Sequence, residues 1–139
     1  MALFEIKDLS FTYPNQEKPA LSHVSFKIEQ GDFVAICGKS GCGKSTLLRV
    51  LGLLDRPTEG KIYFEDFDTE ELWKDELADI RRRKIGFIFQ SYNLVPVLTV
   101  YENIVLPIQL DGGRIDKHYV REVIAALGIE KKLNNLPSQ

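Results

Sequence analysis

Along the first third of the chain, apolar and polar residues alternate with period two, the pattern of strands with one wet face. Phe4 and Ile6 alternate with charged neighbours. Leu9, Phe11 and Tyr13 resume the alternation one position out of phase, which predicts a bulge or turn near Lys7 and Asp8. Pro14-Asn15-Gln16-Glu17-Lys18-Pro19 reads as a loop. Val24, Phe26 and Ile28 mark a second half-buried strand that ends at Gln30-Gly31-Asp32 and is expected to pair antiparallel with the first.

The pattern then changes. Phe33-Val34-Ala35-Ile36-Cys37 is apolar without alternation, as in a strand buried on both faces of a parallel sheet, and Cys37 is expected in the core. After a glycine-rich stretch comes an almost wholly apolar helical run over residues 46–54. Residues 61–65 read as a short strand. Asp68 is expected to cap a helix with Glu71 as return partner, Trp73, Leu77 and Ile80 lying on one face to about Arg83. Ile85-Gly86-Phe87-Ile88-Phe89 reads as another buried strand, ending at Gln90. Residues 100–106 are weakly helical and expected to stop before Pro107. A clearer helix starts at Asp116, puts Val120, Val123, Ile124 and Leu127 on one face, and meets a stop at Gly128. Residues 133–139 read as a loop.

The length of 139 residues suits one domain or part of one. A formal net charge of -2 gives no basis for a nucleic-acid surface. Arg81-Arg82-Arg83-Lys84 follows a helical pattern and reads as a cationic helix end rather than a binding patch. No apolar stretch approaches the ~20 residues needed to cross a bilayer, and the N-terminus lacks the layout of a signal peptide. A cytoplasmic location is the expectation. Cys37 and Cys42 lie too close for a disulfide framework and match no zinc spacing, so free thiols are expected.

The strongest chemical signal is Gly38-Lys39-Ser40-Gly41-Cys42-Gly43-Lys44-Ser45, a full G-x-x-x-x-G-K-[ST] P-loop between an apolar run and an apolar helix. Glycines at Gly38, Gly41 and Gly43 permit turns that aim successive N–H groups at phosphate oxygens. The helix beginning near Lys44 adds the positive end of its dipole. Lys44 brings a point charge to the β- and γ-phosphates, the Ser45 hydroxyl suits Mg²⁺, and Ser40, Cys42 and Thr46 complete the phosphate contacts. Cys42, at a helix start, is read as a small residue whose N–H faces phosphate, in preference to a redox-sensitive thiol. ATP and Mg²⁺ are therefore the expected ligands.

A P-loop by itself fits kinases, GTPases, helicases and transporters. The guanine-reading N/T-K-x-D pattern is absent. Three further stretches narrow the choice: Leu9-Ser10-Phe11-Thr12-Tyr13-Pro14, Ile85-Gly86-Phe87-Ile88-Phe89-Gln90-Ser91-Tyr92-Asn93-Leu94, and Leu98-Thr99-Val100-Tyr101-Glu102-Asn103-Ile104. With the P-loop they make the whole chain resemble the N-terminal portion of the ATP-binding subunits of ABC transporters. The details around Arg81-Arg82-Arg83-Lys84 and Tyr101-Glu102-Asn103-Ile104-Val105-Leu106-Pro107 look most like the lipoprotein-release and macrolide-export subgroup.

The resemblance implies an α/β fold: a P-loop NTPase core with an antiparallel β subdomain at the N-terminus, the start of a helical subdomain, and an incomplete sheet. It implies a boundary near residue 91, with 1–91 as core and 92–139 as the glutamine loop and early helical subdomain. Tyr13 would stack on adenine, although taken alone it reads more readily as a strand residue in a core. Gln90 would help ligate Mg²⁺ and orient the attacking water. The stretch from Gln90 to Val97 would couple nucleotide state to a transmembrane partner, so the chain would reach the inner membrane only through that partner. Leu94, Val95 and Val97 could instead be packing residues, and both readings stay open.

Family subunits also carry an L-S-G-G-Q signature, a strand ending in Asp-Glu (Walker B) and a switch histidine. None is found here: Leu110-Asp111-Gly112-Gly113-Arg114 reads as a plain helix-connecting turn, and His23 and His118 match no switch position. The expectation is a truncated subunit that binds Mg–ATP, with Lys44 and Gln90 as the retained catalytic groups, and does not hydrolyse it alone. Its open sheet edge would favour a homo-oligomer or swapped dimer. The alternatives are a non-enzymatic nucleotide-binding or interaction module, or another P-loop enzyme such as a small kinase, which would need lid arginines after the P-loop.

Overall fold

The computed structural model describes residues 2–139, and its first strand carries the expected phase slip. Strand β1 (Ala2–Phe11) pairs antiparallel with β2 (Leu21–Glu29), with the register shifting between Ile6 and Leu9. The slip returns Leu9 and Phe11 to the face already used by Ile6, so all three are buried. Asp8 and His23 take left-handed backbone conformations there, with φ of 51° and 50°. Their cost is offset locally: the Asp8 N–H donates to Ser25 Oγ (2.8 Å), the His23 N–H donates to Ser10 Oγ (3.1 Å), and His23 Nδ1 lies 2.8 Å from Asp8 Oδ1.

Strand β3 (Glu59–Phe64) lies on the other side of β1, and the two-residue β4 (Phe67–Asp68) completes an antiparallel sheet in the order β2-β1-β3-β4. Helix α1 (Lys44–Leu51) turns Leu47, Val50 and Leu51 into the same core as Ile6, Leu9, Phe11, Leu21 and Ile62. Helix α2 (Lys74–Lys84) adds Leu77. These elements form one compact unit running to Phe87.

A second unit spans Ile88–Gln139. Helix α3 (Val100–Leu110) and helix α4 (Lys117–Leu127) bury Val105 against Val120 and Ile124, and a short 3₁₀ turn (Glu130–Lys132) follows. Asp116 caps α4 by accepting the N–H groups of His118 and Tyr119, and Gly128 ends it at φ 67°. Residues 111–116 form the plain connection between α3 and α4, with Gly112 at φ 69°.

Several expectations need correction. Residues 33–37 and 85–89 form no strand: Phe33 is fully exposed and Ile88 nearly so, and Cys37 is exposed rather than core. Their apolar character is real, since Ile36 and Ile85 pack partly on the first core. A parallel strand, however, needs hydrogen-bonding neighbours and cover on both faces, and the one sheet among the described residues is antiparallel. Asp68 caps no helix. It ion-pairs with Lys61 (2.6 Å) and accepts the Glu70 N–H (3.0 Å), while α2 starts six residues later with Trp73 at its N-cap, largely exposed. Helix α3 runs through Pro107 instead of stopping before it. The proline forfeits one backbone bond, and the stripe Tyr101, Ile104, Val105 and Ile108 still packs on α4.

Two predictions arise from these elements. The Lys61 ammonium beside Asp68, whose side chain is only 8% exposed, holds its carboxyl below the usual carboxylate range. A depressed carboxyl stabilises the fold above its unfolded value near pH 4 and loses that contribution as pH falls further. Asp68→Asn is expected to lower the melting temperature at pH 7, and the difference from wild type should close as thermal scans move below about pH 4. In the second unit, Thr99 and Glu102 cap α3 reciprocally: Glu102 Oε2 accepts the Thr99 N–H (2.7 Å) and Thr99 Oγ1 accepts the Glu102 N–H (3.2 Å). Thr99→Ala is expected to cost about 1 kcal/mol in denaturant titration.

Candidate functional site

The loop between residues 37 and 44 folds around one charge. Lys44 opens α1 and its Nζ turns back to donate to the carbonyls of Gly38 (2.9 Å) and Lys39 (2.8 Å), with Cys42 Sγ at 3.8 Å. The Cys42 N–H donates to the Lys39 carbonyl at 3.3 Å, so the thiol residue closes a turn inside the loop. Gly41 and Gly43 occupy left-handed conformations at φ 77° and 99°. Gly43 also sits so close to the start of β2 that a Cβ there would stand 2.6 Å from the Ala20 carbonyl oxygen. A Cβ on Gly38 would come within 2.6 Å of Cys42 Sγ.

Gly43 is the N-cap of α1 and no side chain caps that end. Its carbonyl accepts the Leu47 N–H (2.8 Å), whereas the N–H groups of Lys44, Ser45 and Thr46 have no acceptor four residues back in the helix. A helix start with free donors, the positive dipole end and a lysine ammonium beside it is chemically suited to a polyanion. Ser40 and Ser45 are exposed around this start, and Ser45 presents a hydroxyl oxygen of the kind Mg²⁺ accepts. The donor set therefore fits a magnesium-bound phosphate chain.

Tyr13 is brought to the same place. It lies just beyond β1, half-buried, edge-on to Phe11 with ring centroids 4.9 Å apart, and its hydroxyl is 3.0 Å from Oγ1 of the buried Thr46. The structure thus gathers Tyr13 with Gly38, Ser40, Gly41, Cys42, Gly43, Lys44, Ser45 and Thr46. Gln90 belongs to the second unit and is exposed there.

The arginines are engaged elsewhere. Arg49 on α1 makes a two-pronged pair with Asp55 (2.6 and 3.1 Å), which raises its already high pKa. Arg81 donates to the Leu53 carbonyl (2.9 Å) and Arg82 pairs with Asp79. The basic run thus belongs to the end of α2.

Asn103 is a residue the sequence marked only as part of a resemblance. Its side chain accepts the Val95 N–H (2.8 Å) and donates to the carbonyls of Val95, Leu98 and Thr99, tying residues 95–99 to α3. No spacing rule announces such a hub. The preceding residues remain outward: Tyr92, Leu94 and Val97 are exposed, and Tyr92, Asn93, Leu94 and Pro137 line a cavity of about 410 Å³.

Residues 21–139 match the family model described as ABC transporter. The chain is 43% identical to a macrolide export ATP-binding/permease protein, MacB, of Syntrophobacter fumaroxidans, covering all of this chain and 20% of that protein. It is 47% identical to an uncharacterized ABC transporter ATP-binding protein, MJ0796, of Methanocaldococcus jannaschii over 76% of this chain and 46% of the relative. A solved dimeric structure of the ATP-binding cassette MJ0796 in a post-hydrolysis state with ADP and Pi superimposes with a TM-score of 0.85 at 40% identity, covering 98% of this chain and 62% of that one. The chain thus spans half or less of the curated relatives named here. The fold is that of an ABC ATPase cassette, an α/β P-loop NTPase, and the sheet formed among the described residues is the antiparallel N-terminal one.

Proposed function

The chain belongs to the ABC transporter family, and from that premise we propose that it binds Mg–ATP as part of an ATP-binding subunit serving an exporter-type membrane transporter. The observation that carries this reading is the uncapped start of α1 with Lys44 Nζ held on the Gly38 and Lys39 carbonyls. Amides of the loop and of the first turn bind the phosphates. Lys44 exchanges its two carbonyls for β- and γ-phosphate oxygens, Thr46 adds a hydroxyl, and Ser45 gives its oxygen to Mg²⁺. When bound, the metal neutralises phosphate charge. Tyr13 supplies a flat ring for the adenine. For Gln90 the support is the resemblance: it ends the apolar run 85–89, and the proposal gives its amide to the metal and the attacking water.

Leu94 and Val97 lie exposed rather than packed within the second unit, which supports residues 90–97 as the surface that meets a transmembrane partner. No helix among the described residues is long and apolar enough to cross a membrane, so membrane attachment is proposed to run through that partner, at the cytoplasmic face. Solved relatives are described as dimeric, and pairing of two copies is proposed here too.

Calorimetric titration with Mg–ATP tests the reading, with phosphate release followed in the same samples. Saturable one-site binding is expected, with phosphate release at background. After Gln90 no apolar strand ends in the paired acids that would polarise water. Absence of binding by a folded sample would overturn the proposal. Phosphate release that disappears in Lys44→Ala would place a catalytic acid among residues not assigned one.

A further inference from the structure

We propose that Tyr13 is a positioning residue for the phosphate site through its hydroxyl, separately from any role of its ring. The inference rests on the nucleotide-binding reading and deepens it. The observation is the 3.0 Å contact between Tyr13 Oη and Thr46 Oγ1, in which either oxygen can be the donor. Thr46 is 7% exposed and stands in the first turn of α1, next to Ser45 and two residues after Lys44.

A threonine hydroxyl has one proton and two lone pairs. With no anion at the helix start, that proton can point to Tyr13 or away from it. An anion at the uncapped start of α1 draws the Thr46 proton toward itself, because a hydrogen bond to a charged acceptor is about twice as strong as a neutral one. Tyr13 must then be the donor. A phenol O–H suits that role, and donation into Thr46 Oγ1 polarises the Thr46 O–H toward the phosphate. The chain Tyr13 O–H to Thr46 O–H to phosphate oxygen satisfies each hydroxyl once as donor.

Geometry keeps the relay in place. The Tyr13 ring is half-buried and held edge-on by Phe11, so the hydroxyl is presented without ordering a free side chain. Stacking on a base uses the face of the ring and the relay uses its hydroxyl. The two contributions can therefore be separated with a ligand that has phosphates and no base.

The test uses magnesium tripolyphosphate on the full chain, by calorimetry, with wild type, Tyr13→Phe, Thr46→Val and the double variant. Tyr13→Phe is expected to weaken tripolyphosphate binding about three- to tenfold, the range of one net hydrogen bond. In the Thr46→Val background the same change should have no further effect. In a Thr46→Ser background, which keeps the hydroxyl, the loss should return. This conservative pair also keeps the test decisive should Thr46→Val fail to fold. Tripolyphosphate affinity unchanged in Tyr13→Phe would overturn the relay while leaving nucleotide binding intact. Wild-type protein that binds neither tripolyphosphate nor Mg–ATP would remove the relay together with the reading beneath it.

Discussion

Lys44→Ala is expected to weaken Mg–ATP binding about 10- to 100-fold, on the scale of the roughly 1.5–3 kcal/mol of a hydrogen bond to a charged group. Two effects converge in that number. The ammonium is the cation held on the Gly38 and Lys39 carbonyls, and its removal takes one full positive charge from the phosphate site. It also removes the two bonds that curl residues 38–39 over the helix start. Lys44→Arg separates these effects, because it keeps the charge while its planar fork cannot sit where a compact ammonium sits. Equilibrium titration should find the arginine variant weakened as well. Lys44→Ala binding Mg–ATP as wild type does would show that the loop does not use its lysine.

Gly60→Ala is expected to destabilise the first unit by about 3 kcal/mol or more, combining a left-handed residue that gains a Cβ with overpacking against backbone. Gly60 has φ 84°, and an added Cβ would stand 2.3 Å from the Asp8 carbonyl oxygen and 2.6 Å from that of Lys7. Neither neighbour can swing away, because both are backbone at the β1 bulge. Gly31 is the internal control: its φ is 92°, but nothing lies within 4 Å of its Cβ position. Gly31→Ala should therefore cost only the conformational part, about 1–2 kcal/mol. Equal midpoints for the two variants in urea would contradict this account of the bulge.

These effects trace to features of unequal visibility in the sequence. The phase slip at Lys7 and Asp8 was legible because period-two alternation fails there by one residue, and the register shift lies where it fails. The P-loop was legible because its chemistry is carried by backbone conformation, which glycine spacing reports directly. Asp116 and Gly128 marked the ends of α4 because caps are local. Long-range partners were not visible. The runs 33–37 and 85–89 announce apolar faces, but a strand is a relation between segments, and neither run finds a ladder among the described residues. Asp68 satisfied a capping pattern and was taken instead by Lys61 across a hairpin. The contacts of Tyr13 with Thr46 and of Asn103 with residues 95–99 depend on tertiary placement that no spacing encodes.

On the proposed function, the loop from Gly38 and the first turn of α1 hold phosphate with backbone amides. An amide correlation NMR spectrum recorded while Mg–ATP is added tests it residue by residue. The largest shifts are expected on the N–H groups of Gly41, Gly43, Lys44, Ser45 and Thr46, and tripolyphosphate should reproduce them without moving residues that meet only the base. Saturable nucleotide binding that leaves those amides unmoved would contradict it.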